Sequence, residues 1–173
     1  MGVFVSRCAI AEKLSDRSTL STVPPRSRAV RVRGYDATGW PTFRITRQGI
    51  AYVPEDRGTE GLIPEFSLTE NVALGLARTA PWGRGVILDW AAATRRTTEL
   101  IADFGVKAGG PASAAVTLSG GNQQKLLIGR ALALEPIVLV AENPTRGLDV
   151  QATRAVHDRL REAAARGLAV LVY

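Results

Sequence analysis

The five residues 137–141, Ile-Val-Leu-Val-Ala, constrain the fold more than any other feature. A strand sends alternate side chains to opposite faces, and this one is apolar on both, with three β-branched residues. Such a strand belongs inside a parallel sheet covered on both sides. Pro136 ends whatever helix precedes it. That helix is expected to open at Ser119 and run through Leu126, Leu127, Arg130, Ala131 and Leu134 to Glu135. After the strand, residues 142–149 read as a polar loop. A helix follows from about Gln151 to Arg166, with Val156, Leu160 and Ala163 or Ala164 on one face, and Gly167 ends it. Residues 168–173 then start a second buried strand. Helix, strand, helix, strand is the α/β pattern, with functional loops at the carboxyl ends of parallel strands. An open edge at the last strand would be costly, so the native domain is expected to run further than Tyr173.

The first half is less regular. Residues 1–28 hold scattered Ser and the pair Pro24–Pro25, which reads as an irregular leader, leaving 29–173 as one domain. Residues 29–33 suggest a short edge strand stopped by Gly34, and residues 45–48 a helical turn before Gly49. The run Gly49–Pro54 reads as a strand and the polar 55–61 as a loop. Thr69 is placed to cap a helix containing Asn71, Val72 and Leu76. Residues 78–89 are irregular. A long helix from Trp90 to Phe104, with Leu100, Ile101 and Phe104 on one face and Arg95, Arg96 and Glu99 on the other, is stopped by Gly105. A loop over 106–117 leads to Ser119.

Bulk properties narrow the function classes. The 173 residues are 46% hydrophobic and 22% charged, as a globular chain with a sizeable core would be. The lone Cys8 excludes an internal disulfide framework and favours a cytosolic setting. No stretch approaches 18 apolar residues, so no membrane span is expected. The net charge of +6 includes six arginines between Arg26 and Arg47. Gly34 and Pro41 interrupt that run, which is neither a periodic basic helix nor an aromatic platform. It reads as a solvated face, and no nucleic-acid partner is expected.

Three motifs in order carry the function. Residues 118–125 are LSGGNQQK, 141–149 are AENPTRGLD, and 49–71 are GIAYVPEDRGTEGLIPEFSLTEN. The first resembles the ABC ATPase signature in its sugar and nucleoside importer form. The second resembles the Walker B strand with its D-loop. The third is similar to the glutamine-loop region in the second ATPase domain of those tandem importers. Together they cover roughly residues 45–173. The resemblance implies an α/β P-loop NTPase domain of ABC type, here partial, with a parallel-sheet core and a helical signature region. It implies ATP and Mg²⁺ as cofactors and another ABC ATPase domain as partner, since such domains pair head to tail around each ATP. Membrane permease subunits, and indirectly a solute-binding protein, complete the implied assembly at the cytoplasmic face of the plasma membrane. The EDR segment and NQQK weigh against an ABC-type ATPase of DNA repair or translation.

Residue by residue, the signature is Leu118, Ser119, Gly120, Gly121 and Gln123. Ser119 and the two glycines open a helix whose free N–H groups and dipole favour an anion, which in the family is the γ-phosphate held by the opposite domain. The alternative is a Ser-capped surface helix with a glycine hinge. Glu142 falls where the family's Mg²⁺-ordering aspartate stands, and could otherwise cap the next turn. Asn143 falls at the catalytic glutamate, a departure, since an amide orients water but cannot take its proton. Asp149 matches the D-loop aspartate or caps the following helix. Glu55 stands near the glutamine-loop position, which in the family couples nucleotide to permease; the alternative is a structural salt bridge between the neighbouring Asp56 and Arg57.

No GxxxxGK followed by Ser or Thr occurs in these residues. Lys13 and Lys107 lack that context, and Lys125 belongs to the signature. His157 precedes the last strand and reads as an ordinary helix histidine, not the switch histidine. The expectation is a chain inactive alone, whose signature completes a partner's ATP site. The alternative is a non-catalytic partner module, or a fragment without an ATP site of its own.

Overall fold

The computed structural model describes residues 31–32, 34–76 and 88–173. The leader expected over 1–28 and the irregular stretch over 78–87 lie outside the described residues. The centre is a parallel sheet of β3 (Ile50–Val53), β4 (Val138–Ala141) and β5 (Ala169–Val172), in that order. Ile50 stands opposite Val138, which stands opposite Ala169, and Val53, Ala141 and Val172 align at the far end. Every residue of β4 is buried, as its two-sided apolar sequence requires.

Alternation along the strands makes two cores. Ala51, Val53, Leu139 and Ala141 face the larger one, with α4 (Gly120–Leu132) and α5 (Val150–Ala165). Ile50, Val138 and Val140 face a smaller one with Val32, Ala37 and Ile45. That smaller layer comprises a hairpin of β1 (Arg31–Val32) and β2 (Tyr35–Asp36), then α1 (Thr42–Thr46). The hairpin replaces the single expected strand. Gly34, at φ +85°, turns the chain back instead of only stopping it.

Several boundaries differ from expectation for identifiable reasons. α2 (Leu68–Leu76) is capped by Ser67, not Thr69. Ser67 Oγ accepts from the Glu70 amide at 3.1 Å, and the Glu70 carboxylate accepts from the Ser67 amide at 2.7 Å, a reciprocal capping box. Thr69 lies inside the helix and donates its hydroxyl to the Pro111 carbonyl. α3 (Trp90–Asp103) forms as expected, capped by Asp89. α4 ends at Leu132, short of Glu135. Proline disfavours a helical predecessor, and Glu135 before Pro136 sits at φ +48°. In α5 it is Ala163, not Ala164, that is buried. β5 is not the buried strand expected: it lies at one end of the strand order and Val172 is 43% exposed. Among the described residues β5 pairs only with β4, which already holds the centre.

Candidate functional site

The carboxyl ends of β3 and β4 open side by side, so the segments after them meet although they are far apart in sequence. The segment after β3 is not the loop expected. Asp56 accepts from the amides of Gly58 (3.0 Å) and Thr59 (3.2 Å) and caps one π-helical turn, Arg57–Gly61. The Thr59 side chain first, and these amides next, hold its carboxyl below the usual range. Asp56 is thereby committed to its own turn, and the alternative of an Asp56–Arg57 salt bridge does not form. The turn presses on α4. A methyl group on Gly61 would stand 2.8 Å from Leu127, and Arg130 donates to the Gly61 carbonyl at 2.7 Å.

Glu55 ends β3's exit and joins it to the loop after β4. It accepts from the Asn143 amide at 3.0 Å and pairs with Arg146. The bond from Asn143 first, and Arg146 next, hold its carboxyl below the usual range. Asn143 has φ +36°, a left-handed backbone that asparagine adopts more readily than most residues, and its own N–H donates to the Tyr173 carbonyl at 2.7 Å. Glu142 follows β4 directly, and its carboxylate accepts a short hydrogen bond from the Tyr52 hydroxyl. Burial, then that carboxylate, push Tyr52 well above the ordinary 10.0.

The signature turn lies beside these groups. Ser119 is the N-cap residue of α4 but gives the helix no side-chain cap, so its first N–H groups stay open to another acceptor. Its Oγ accepts from Asn122 Nδ2 at 2.9 Å, which leaves the hydroxyl proton able to donate. Asn122 Oδ1 in turn accepts from the Lys107 amide at 2.9 Å and fixes the turn to the preceding loop. Gly121 has a packing reason as well as a phosphate one: a methyl there would stand 2.9 Å from Ala152 Cβ of α5. Leu118 is buried in the larger core, and Gln123 turns its amide to the Ala115 carbonyl at 3.2 Å. Leu118 thereby seats the turn, and Gln123 is half-buried beside it. Asp149 caps α5 by accepting from the Ala152 amide at 2.8 Å.

Glu55, Asn143 and the 146–147 turn therefore form one cluster that Gly120 adjoins, while the Glu142 carboxylate turns to Tyr52. The residue that joins them, Arg57, was read only as a partner for Asp56. Its Nη1 donates to the Arg146 carbonyl at 2.8 Å, and a methyl on Gly120 would stand 3.1 Å from its Nη2. Tyr52 and Asn122 were also passed over. Tyr52 reads in sequence as strand packing, and Asn122 as one polar residue of a known motif.

The donors fit the expected cofactors in kind. An open helix N-terminus with a free hydroxyl suits a phosphate. Among the described residues no cluster of three His, Cys, Asp or Glu could cage a metal. Glu142 is a single carboxylate, enough for Mg²⁺ only where phosphate oxygens supply further ligands.

Residues 17–146 match the protein family described as ABC transporter. The chain is 38% identical over 146 residues to the nucleoside import ATP-binding protein NupA of Lactococcus lactis subsp. cremoris, covering 84% of the chain and 29% of that protein. It is 41% identical over 152 residues to the ribose import ATP-binding protein RbsA of Burkholderia mallei, covering 86% of the chain and 29% of that protein. The fold matches the dimeric bacterial ABC transporter cassette MJ0796 with a TM-score of 0.69 and 25% identity, over 86% of this chain and 62% of that one. The chain thus spans under a third of the length of the import proteins it resembles.

Proposed function

Since the chain belongs to the ABC transporter family, we propose that it serves the ATP-binding component of an importer for sugars or nucleosides, with its signature turn completing an ATP site held by a partner ATPase domain. The observation that supports this is the link from the signature turn to the loop after β4: Gly120, at the open end of α4, adjoins Arg57, which bonds the Arg146 carbonyl, and Arg146 pairs with Glu55. Ser119 donates to a phosphate oxygen, and the amides of Gly120 and Gly121 add N–H donors at the positive end of α4. Glu142 would hold Mg²⁺ through water, oriented by Tyr52, and the ion when bound would neutralise charge on the phosphates. The reading makes the permease subunits the means of membrane attachment at the cytoplasmic face. Among the described residues no helix is long and apolar enough to cross a membrane.

A second reading, a partner module that does not itself hydrolyse ATP, is favoured by Asn143. Its amide donates to Glu55, and an amide cannot accept the proton of an attacking water as a carboxylate does.

Turnover of the purified chain, alone and mixed with an intact first ATPase domain of a tandem importer, tests both readings. The chain alone is expected to be inactive. The mixture is expected to exceed the added domain's own rate, and Ser119→Ala to abolish that gain. An added domain that keeps its own rate, unmoved by the chain, would overturn the composite site.

A further inference from the structure

We propose that Arg57 is a positioning residue that brackets the signature turn to the loop after β4, so that Gly120 and Gly147 hold one fixed separation when a partner's nucleotide is engaged. The bracket is a matter of geometry, and its functional consequence rests on the composite-site reading above.

Arg57 is the first residue of the π-helical turn, and its backbone is fixed at both ends. Asp56 caps the turn, and the Arg57 carbonyl accepts from the Leu62 amide at 2.8 Å. Leu127 and Arg130 of α4 hold the end of the turn at Gly61. From that base the guanidinium reaches two other segments at once. Nη1 bonds the Arg146 carbonyl at 2.8 Å, and Nη2 lies over Gly120 with Gly147 beside it, 3.1 and 3.7 Å from where their methyl groups would stand. A methyl at Gly120 would push the guanidinium aside by a few tenths of an ångström, and Gly147 takes a left-handed φ of +67°.

The electrostatics support a placement role over a stabilising ion pair. Among the described residues no carboxylate pairs with Arg57: Asp56 is committed to the turn amides and Glu55 to Arg146 and Asn143. A cation beside the positive end of α4 gains nothing from the helix dipole. What Arg57 does gain is a planar fork whose two edges meet two segments, which a lysine cannot reproduce.

The test has two arms on the full chain. In the first, amide hydrogen exchange is followed at 118–123 and 145–149 in the wild type, Arg57→Ala and Arg57→Lys. Faster exchange is expected in both segments together, with the melting temperature nearly unchanged. Loosening of one segment only, or of neither, would overturn the bracket. In the second, the chain stimulates an intact partner domain. Arg57→Ala is expected to raise the KM for ATP of the stimulated rate about tenfold while kcat changes less than about twofold, because a displaced contact weakens nucleotide engagement. A fall in kcat and melting temperature at constant KM would instead mark Arg57 as merely structural. Arg57→Lys, which keeps charge and stem, is expected to recover less than about half of the loss. Full recovery would show that charge alone suffices and would overturn the proposal. If Arg57→Ala does not fold, the lysine variant carries both arms. The exchange arm needs no partner, so failure of the bracket and failure of the composite site are told apart.

Discussion

Tyr52 and Glu142 lie 90 residues apart in sequence and meet through one hydrogen bond. Tyr52→Phe removes that bond and is expected to cost about 1 kcal/mol near neutral pH. Burial and Glu142 raise the folded pKa of Tyr52 above its ordinary 10.0. Folding thus favours the protonated phenol: the stability it confers is whole below pH 10.0 and falls as pH rises beyond it, where the unfolded tyrosine ionises first. Thermal melts of both proteins from neutral pH upward check this, since the gap between them should narrow only in the alkaline range. At this scale the sequence singled out Glu142, Asn143 and Glu55 from their motifs one by one, but not that Glu55 and Asn143 meet, because that contact joins the ends of two strands far apart in sequence. It misjudged Asp56 and Arg57. A short aspartate reaches the amides of its own turn first, whereas the arginine's acceptor lies 89 residues on, beyond any local rule.

Asn71 shows how an element is held. It is 1% exposed, accepts from the Ile63 amide at 2.8 Å, and donates to the carbonyls of Ile63, Phe66 and Ser67. It ties the segment before α2 to the helix itself, and Arg130 extends the tie to α4 through the Asn71 carbonyl at 3.2 Å. Asn71→Ala leaves buried amides and carbonyls without partners and is expected to cost about 3 kcal/mol, measured by urea unfolding. Asn71→Asp keeps the acceptor for Ile63 but loses the donors and should be no milder. The helices α3, α4 and α5 were legible because each repeats apolar residues over several turns. The π-helical turn and the β1–β2 hairpin were not, since a polar, glycine-bearing stretch has no period to read. The capping box was present in the sequence as Ser67 and Glu70. The nearer Thr69 drew the cap instead, although only Ser67 has a glutamate at the reciprocal spacing.

Across the whole molecule, one strand serves two cores. Leu139 is fully buried on the α4–α5 side, while Val138 and Val140 face the hairpin side. Leu139→Ala is expected to cost about 3 kcal/mol, with a spread set by how far the cavity collapses. Because β4 belongs to both layers, that loss should lower a single shared transition. Trp40 fluorescence, with Trp82 and Trp90 replaced by Phe, reports the hairpin layer, and far-ultraviolet circular dichroism reports the helices. Midpoints that separate would contradict a shared strand. The parallel class was legible in residues 137–141 alone. The order β3–β4–β5 was not, because which strand flanks which depends on pairings across long sequence separation, and β5's edge position follows from that order. The same separation has a consequence in time. β4, α5 and β5 are consecutive and close over one crossover, whereas β3 lies about half the chain away from β4, and long closures are paid for before they are rewarded. Val140→Ala should therefore slow refolding, while Val53→Ala should chiefly speed unfolding, as stopped-flow kinetics would resolve. Although β3 is made first, it would dock only after β4 and β5 have paired, and the contact that unites Glu55 with Asn143 would be among the last the chain assembles.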